Sequence, residues 1–150
     1  MNLPFEFSIM LNEIYERRLN SLIKSMDFEE LDCFILSDIA DMLYFTGFSG
    51  ALKTLVSRTG EVKVYVSKVN FEDAKRRVGE DKVELIKFGE LIPRITREIR
   101  ESGMKRVAFK GLDAADYMKL KESVESISFE PKNGLIWELR KVKDSNEIRM

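Results

Sequence analysis

The stretch Asp32-Cys33-Phe34-Ile35-Leu36-Ser37 constrains the fold more than any other, because four apolar side chains stand in a row between polar ends with no alternation. Successive side chains of a strand point to opposite faces, so a run of this kind must be covered on both of them. It belongs in the middle of a sheet. The rest of the chain must then supply helices for two faces and strands for two flanks.

Helical periodicity recurs through the chain. From Ile9 to Met26 the apolar positions Tyr15, Leu19, Leu22, Ile23 and Met26 fall at i, i+4, i+7, i+8 and i+11, with Glu16, Arg17 and Lys24 between them, which predicts an amphipathic helix after a short arm containing Pro4. A polar helix is expected from Asn70 to Val78. Another runs from Glu90 to Ser102, with Leu91, Ile92, Ile95 and Ile99 on one face, Pro93 in its first turn and Gly103 as its stop. Asp113 to Val124 follows, with Asp113 and Asp116 placed to cap it and to meet its dipole. From Asn133 onward Leu135, Ile136, Leu139 and Val142 mark one more helix.

Strand-like runs alternate with these helices. Ala51 to Ser57 and Glu61 to Ser67 are joined by Arg58-Thr59-Gly60 and read as a hairpin. In its second arm Val62, Val64 and Val66 alternate with Lys63 and Tyr65, so one buried and one wetter face and a place nearer the sheet edge are expected. Val83 to Lys87, Val107 to Phe109 and Ile127 to Phe129, the last ending at Pro131, complete the set. The expected fold class is α/β, a mixed sheet of about six strands with one hairpin and helices on both faces. A chain of 150 residues suits one such domain.

Composition narrows the function classes. Lys and Arg number 25 against 26 Asp and Glu, so no overall basic field draws the chain to nucleic acid or to an anionic membrane. The cluster Lys75-Arg76-Arg77 has no interleaved aromatic residues on which bases would stack. No apolar run approaches the roughly 20 residues of a membrane span, and no basic stretch leads into an apolar segment at the amino end. A soluble, cytoplasmic chain is expected. Cys33 is the single cysteine and lies in the apolar run, where it reads as a buried small hydrophobe. With no histidine, an imidazole or thiolate metal cluster cannot form, and Ser49 has no ordinary base. Gly47 and Gly50 match neither a dinucleotide fingerprint nor a phosphate loop. The absence of histidine and glutamine beside abundant Lys and Glu resembles the bias of thermophile proteins, though seven methionines run against it.

Asp38-Ile39-Ala40-Asp41-Met42-Leu43-Tyr44-Phe45-Thr46-Gly47-Phe48-Ser49-Gly50 follows the central run and precedes the hairpin. Its second half, through Tyr44, Thr46, Gly47, Phe48 and Gly50, resembles the signature of the creatinase/prolidase amino-terminal domain, the first half of Xaa-Pro dipeptidases and aminopeptidases P. Near the other end Arg140, Lys143 and Glu147-Ile148 resemble the linker by which those enzymes enter their catalytic domain. Two departures stand out: Asp41 occupies a position where many members carry Asn, and Ser67-Lys68-Val69-Asn70-Phe71 replaces an Asp-x-Arg-Tyr segment.

The resemblance implies a ribonuclease H-like domain over residues 1–133 and a linker helix over 134–150. It also implies a parent hydrolase that cleaves before proline with two divalent metal ions, held by two aspartates, a histidine and two glutamates in a later domain. This chain itself would hold no metal and no cofactor. Its partners would be its own catalytic domain, a second copy in a homodimer, and proline-containing dipeptides for the parent. By the same resemblance Asp38, Asp41 and Tyr44, in a loop after the first strand, would help shape substrate access. From the residues alone, Asp38 and Asp41 are equally well explained as caps of a short turn over Ile39 to Phe45. A stand-alone binding or oligomerisation module is the other reading of the whole chain.

Overall fold

A computed structural model describes residues 5–141. They form a six-stranded mixed sheet with six helices, four on one face and two on the other. In chain order these are α1 (Phe5–Phe28), β1 (Cys33–Leu36), α2 (Ile39–Thr46), β2 (Lys53–Ser57), β3 (Val62–Val66), α3 (Lys68–Val78), β4 (Val83–Leu85), α4 (Leu91–Glu101), β5 (Arg106–Lys110), α5 (Ala114–Ser123), β6 (Ser128–Pro131) and α6 (Asn133–Lys141), with a single 3-10 turn over Glu80–Lys82.

The strands lie in the order β4-β3-β2-β1-β5-β6. Strand β1 is interior, antiparallel to β2 and parallel to β5, and all four of its side chains are buried, as the unbroken apolar run requires. Phe34 and Leu36 point into one core with Leu22 and Met26 of α1, Met42 and Phe45 of α2, Ala74 of α3 and Ile136 of α6. Cys33 and Ile35 point into the other, with Ile92, Ile95 and Ile99 of α4 and Leu120 of α5. Cys33 is fully buried and its thiol is pushed far above its ordinary range by desolvation, so it packs as a hydrophobe.

Four expectations are corrected. Helix α1 begins by Phe5, absorbing Phe5 to Ser8 of the arm expected before Ile9. The segment after β1 is a two-turn helix, α2, and not a loop. On β3 the face expected to be wetter buries Tyr65 completely, because α4 lies over it; Lys63 reaches Glu98 of α4 at 2.8 Å and Glu84 of β4 at 3.4 Å. The place near the edge holds, since only β4 lies outside β3. Finally, β4 ends at Leu85, short of Lys87.

Asp32 ties the start of β1 to its neighbours. Its Oδ2 accepts the backbone N–H groups of Lys105 at 2.7 Å and Arg106 at 2.9 Å, and its Oδ1 accepts from Arg58 at 3.2 Å. Burial alone would raise this carboxyl, but the two backbone donors and the nearby cations outweigh it and hold the group below its usual value. A depressed folded-state value means stabilisation that is present above the unfolded value of 3.8 and is lost as pH falls through the folded one. Asp32→Ala is therefore expected to cost about 1–3 kcal/mol near pH 7 in urea unfolding, and much less near pH 2. A loss that is equal at both pH values would contradict the assigned role.

Candidate functional site

Helix α2 starts where β1 ends, and its cap is unusual. Asp38 has the extended backbone of an N-cap, and its carbonyl accepts the Met42 N–H at 3.0 Å, but its side chain makes no capping bond. The carboxylate turns instead to Lys110 at the end of β5, 3.0 Å away. One turn on, Asp41 has no solvent exposure at all. Its Oδ2 meets Lys110 Nζ at 2.6 Å, and its Oδ1 meets Arg140 Nη1 of α6 at 2.8 Å. Side-chain capping, one of the two readings open from sequence, thus fails for Asp38 and is displaced by an ion triad at Asp41. Burial would lower the Lys110 ammonium, but its bonds to Asp41 and Asp38 more than offset this and raise it above its usual value.

Tyr44 sits on the same helix and meets Arg140 again, together with one further cation, Arg18. The guanidinium of Arg18 from α1 lies 4.0 Å from its ring centroid and that of Arg140 lies 5.3 Å away, within the range of a cation–π contact. Arg18 also donates to the Tyr44 carbonyl at 2.9 Å. A neighbouring polar group completes this edge: Lys53, at the start of β2, reaches Ser37 Oγ and Asp116 of α5, each at 3.2 Å. Asp113 caps α5 by accepting the Asp116 N–H at 2.7 Å, as its position predicts.

The structure thus brings Asp38, Asp41, Tyr44 and Arg140 together. Lys143 and Glu147 fall outside the described residues. Lys53 and Lys110 join the group without having been singled out from sequence, and Arg18 joins it from α1. The one signal for Lys110 was a cation closing the apolar run Val107-Ala108-Phe109, and no local pattern marked Lys53.

The remaining signature residues form the exit from α2. Gly47 ends the helix in the left-handed region at φ 77°, with its N–H on the Leu43 carbonyl at 2.9 Å. Thr46 Oγ1 donates to the Met42 carbonyl at 2.6 Å and accepts the Phe48 N–H at 3.2 Å, which sets Phe48 into the core. A Cβ on Gly47 would meet the Tyr15 ring at 2.6 Å, and one on Gly50 would meet the Phe48 ring at 2.7 Å. Asn70 donates to the Gly50 carbonyl at 3.1 Å and so ties this exit to α3. Ser49 is exposed.

Chemically this arrangement suits holding elements together. Both oxygens of Asp41 carry cations, so it is neither a free base nor an open metal ligand. Among the described residues no group of three or more His, Cys, Asp or Glu could hold a metal, and the sequence has no histidine. The two metal ions of the resemblance do not fit these residues.

Gly47→Ala is expected to lose about 2–4 kcal/mol, from left-handed backbone strain and overpacking against Tyr15. Placing the same change in a Tyr15→Ala background should relieve the second part only, so thermal unfolding of the double variant reads additivity. Strictly additive losses would contradict the close approach.

The fold has counterparts among solved proteins. An Xaa-Pro dipeptidase from Bacillus anthracis superposes with a TM-score of 0.75 at 22% identity, over 90% of this chain and 38% of that one. An X-Pro aminopeptidase from Thermotoga maritima gives 0.76 at 19% identity, over 87% and 38%. The N-terminal domain of the cytoplasmic peptidase PepQ from Mycobacterium tuberculosis gives 0.71 at 18% identity, over 83% and 98%. The chain therefore spans little more than a third of the first two proteins and nearly all of the third. No curated protein sequence matches it. The family profile described as Creatinase/Prolidase N-terminal domain matches residues 18–142, from Arg18 on α1 to the residue after α6. That span contains Asp41, Tyr44, Gly47 and Arg140, and the chain belongs to the creatinase/prolidase N-terminal domain family.

Proposed function

We propose that this chain is the non-catalytic amino-terminal part of a protein resembling Xaa-Pro dipeptidase, a two-metal hydrolase that cleaves before proline. The observation that carries this reading is the family match over residues 18–142, in a chain that spans 38% of the Bacillus anthracis dipeptidase. Residues 1–133 form the domain proper and 134–150 the linker into a catalytic domain, which supplies the two divalent ions. The parent acts in the cytoplasm, as the name of the Mycobacterium tuberculosis relative suggests for that protein. Among the described residues no helix is long and apolar enough to cross a membrane.

In this reading the domain has two tasks. One is to help hold a homodimer, for which the exposed Ile39 and Leu43 on α2 offer apolar surface. The other is to shape substrate access at the start of α2. There Asp38 pairs with Lys110 and keeps part of its side chain exposed, while Asp41 and Tyr44 tie the helix to β5, α1 and α6. A partly solvated carboxylate at the mouth favours a substrate's free α-amino group by only about 0.5–1 kcal/mol, a several-fold effect at most.

The gene beyond codon 150 separates this reading from a stand-alone module. A downstream domain with two aspartates, a histidine and two glutamates in metal-binding order supports it, and a stop codon contradicts it. In the complete protein, Asp38→Asn should raise KM for an Xaa-Pro dipeptide several-fold and leave kcat nearly unchanged, because only uniform binding is lost. An unchanged KM would remove Asp38 from the access site.

A further inference from the structure

Helix α6 has little to hold it in place by ordinary means. Its described part, Asn133–Lys141, draws its stability as a helix mostly from packing against the domain, so what docks it decides its place. Of its apolar side chains only Ile136 is fully buried, Leu135 and Leu139 are partly so, and Trp137 is 58% exposed. Near its end Arg140 crosses to Asp41, which lies 99 residues away in sequence. Asp41 is itself held from the opposite side by Lys110 of β5.

An unbroken ionic path therefore leads from the sheet, through Lys110 and one buried carboxylate, to the last described turn of α6. The Tyr44 ring adds a flat surface beside the Arg140 guanidinium, and the Tyr44 hydroxyl reaches the Leu139 carbonyl at 3.5 Å. Both contacts favour the same helix orientation.

We infer that Asp41 is a positioning residue: its buried carboxylate decides whether α6 lies on the domain, and so fixes where Lys141, the last described residue, sits. That a catalytic domain follows there rests on the function proposed above; the docking of α6 does not. The geometry separates this role from general stability. Arg140 is one-third exposed and at the periphery, so removing it leaves Asp41 paired with Lys110 and the second core intact, and the loss falls on α6 and the Ile136 that it carries into the first core. Only the helix should come loose.

The chain carries its own probe, because Trp137 is its single tryptophan and sits on α6. In the 150-residue protein, Arg140→Met and Asp41→Asn should each lower the fluorescence anisotropy of Trp137. Each should also raise its acrylamide quenching, by up to about 1.7-fold, the ratio of full exposure to the present 58%. Arg140→Lys should restore part of both signals, since it keeps a cation on the helix. Glu138→Gln, which removes only an exposed pair with Lys141 on the same helix, should change neither. Should Asp41→Asn fail to fold, Arg140→Met still decides the matter, because it breaks the same ion pair from the exposed side. The inference is overturned if Arg140→Met leaves anisotropy and quenching at wild-type values, whatever happens to the thermal midpoint. None of these readouts involves peptide cleavage, so the inference and the proposed function can fail separately.

Discussion

A carboxylate with no contact to water is costly unless its charge is matched, and Asp41 is matched twice, by Lys110 from the sheet and by Arg140 from the last described helix. That single group joins β5, α2 and α6, three elements that the chain order keeps far apart. The Coulombic gain of such a triad is largely offset by the desolvation of its members, so its main effect is on which arrangement is adopted. Removing one cation is then felt most by the element that carried it. The signature beside Asp41 completes the arrangement: Tyr44 takes guanidinium groups from α1 and α6 on its ring, Thr46 fastens the helix end to Phe48, and Gly47 turns the chain where Tyr15 leaves no room for a side chain.

The sheet makes that node possible. Because β1 is apolar on both sides, it lies inside the sheet with helices above and below, and its carboxyl end opens beside β5. Helix α2 leaves that end toward one face, where Met42 and Phe45 enter the core, while α5 follows β5 toward the other, where Leu120 does. Two adjacent parallel strands whose helices diverge create a crevice in which polar groups collect. Here the crevice is filled by the chain's own ion pairs, those of Asp38 and Asp41 with Lys110 and that of Lys53 with Asp116. Groups with their partners already in place act as supports.

Much of this was legible in the residues. The unbroken run at Cys33–Leu36 implied a two-sided sheet, the i, i+3, i+7 spacing of Ile92, Ile95 and Ile99 placed α4 correctly, and Asp113 announced its own cap. What escaped was set by distance or by cover. Helix α2 is only eight residues long and leaves Ile39 and Leu43 exposed, so no clean apolar stripe marked it as helical. Tyr65 alternates with valines as a solvent-facing residue would, and only the arrival of α4 buries it. The contacts of Asp41 lie 69 and 99 residues away, and no local pattern announces a partner at that range.

The central claim, that Asp41 and Arg140 act as one unit across the length of the domain, is tested most directly by a double-mutant cycle with Asp41→Asn and Arg140→Met, read by urea unfolding of the 150-residue protein. The account predicts a coupling energy of about 1–3 kcal/mol, with the double variant more stable than the sum of the single losses requires. Losses that add within about 0.5 kcal/mol would show that the two residues stabilise the domain independently and would contradict it.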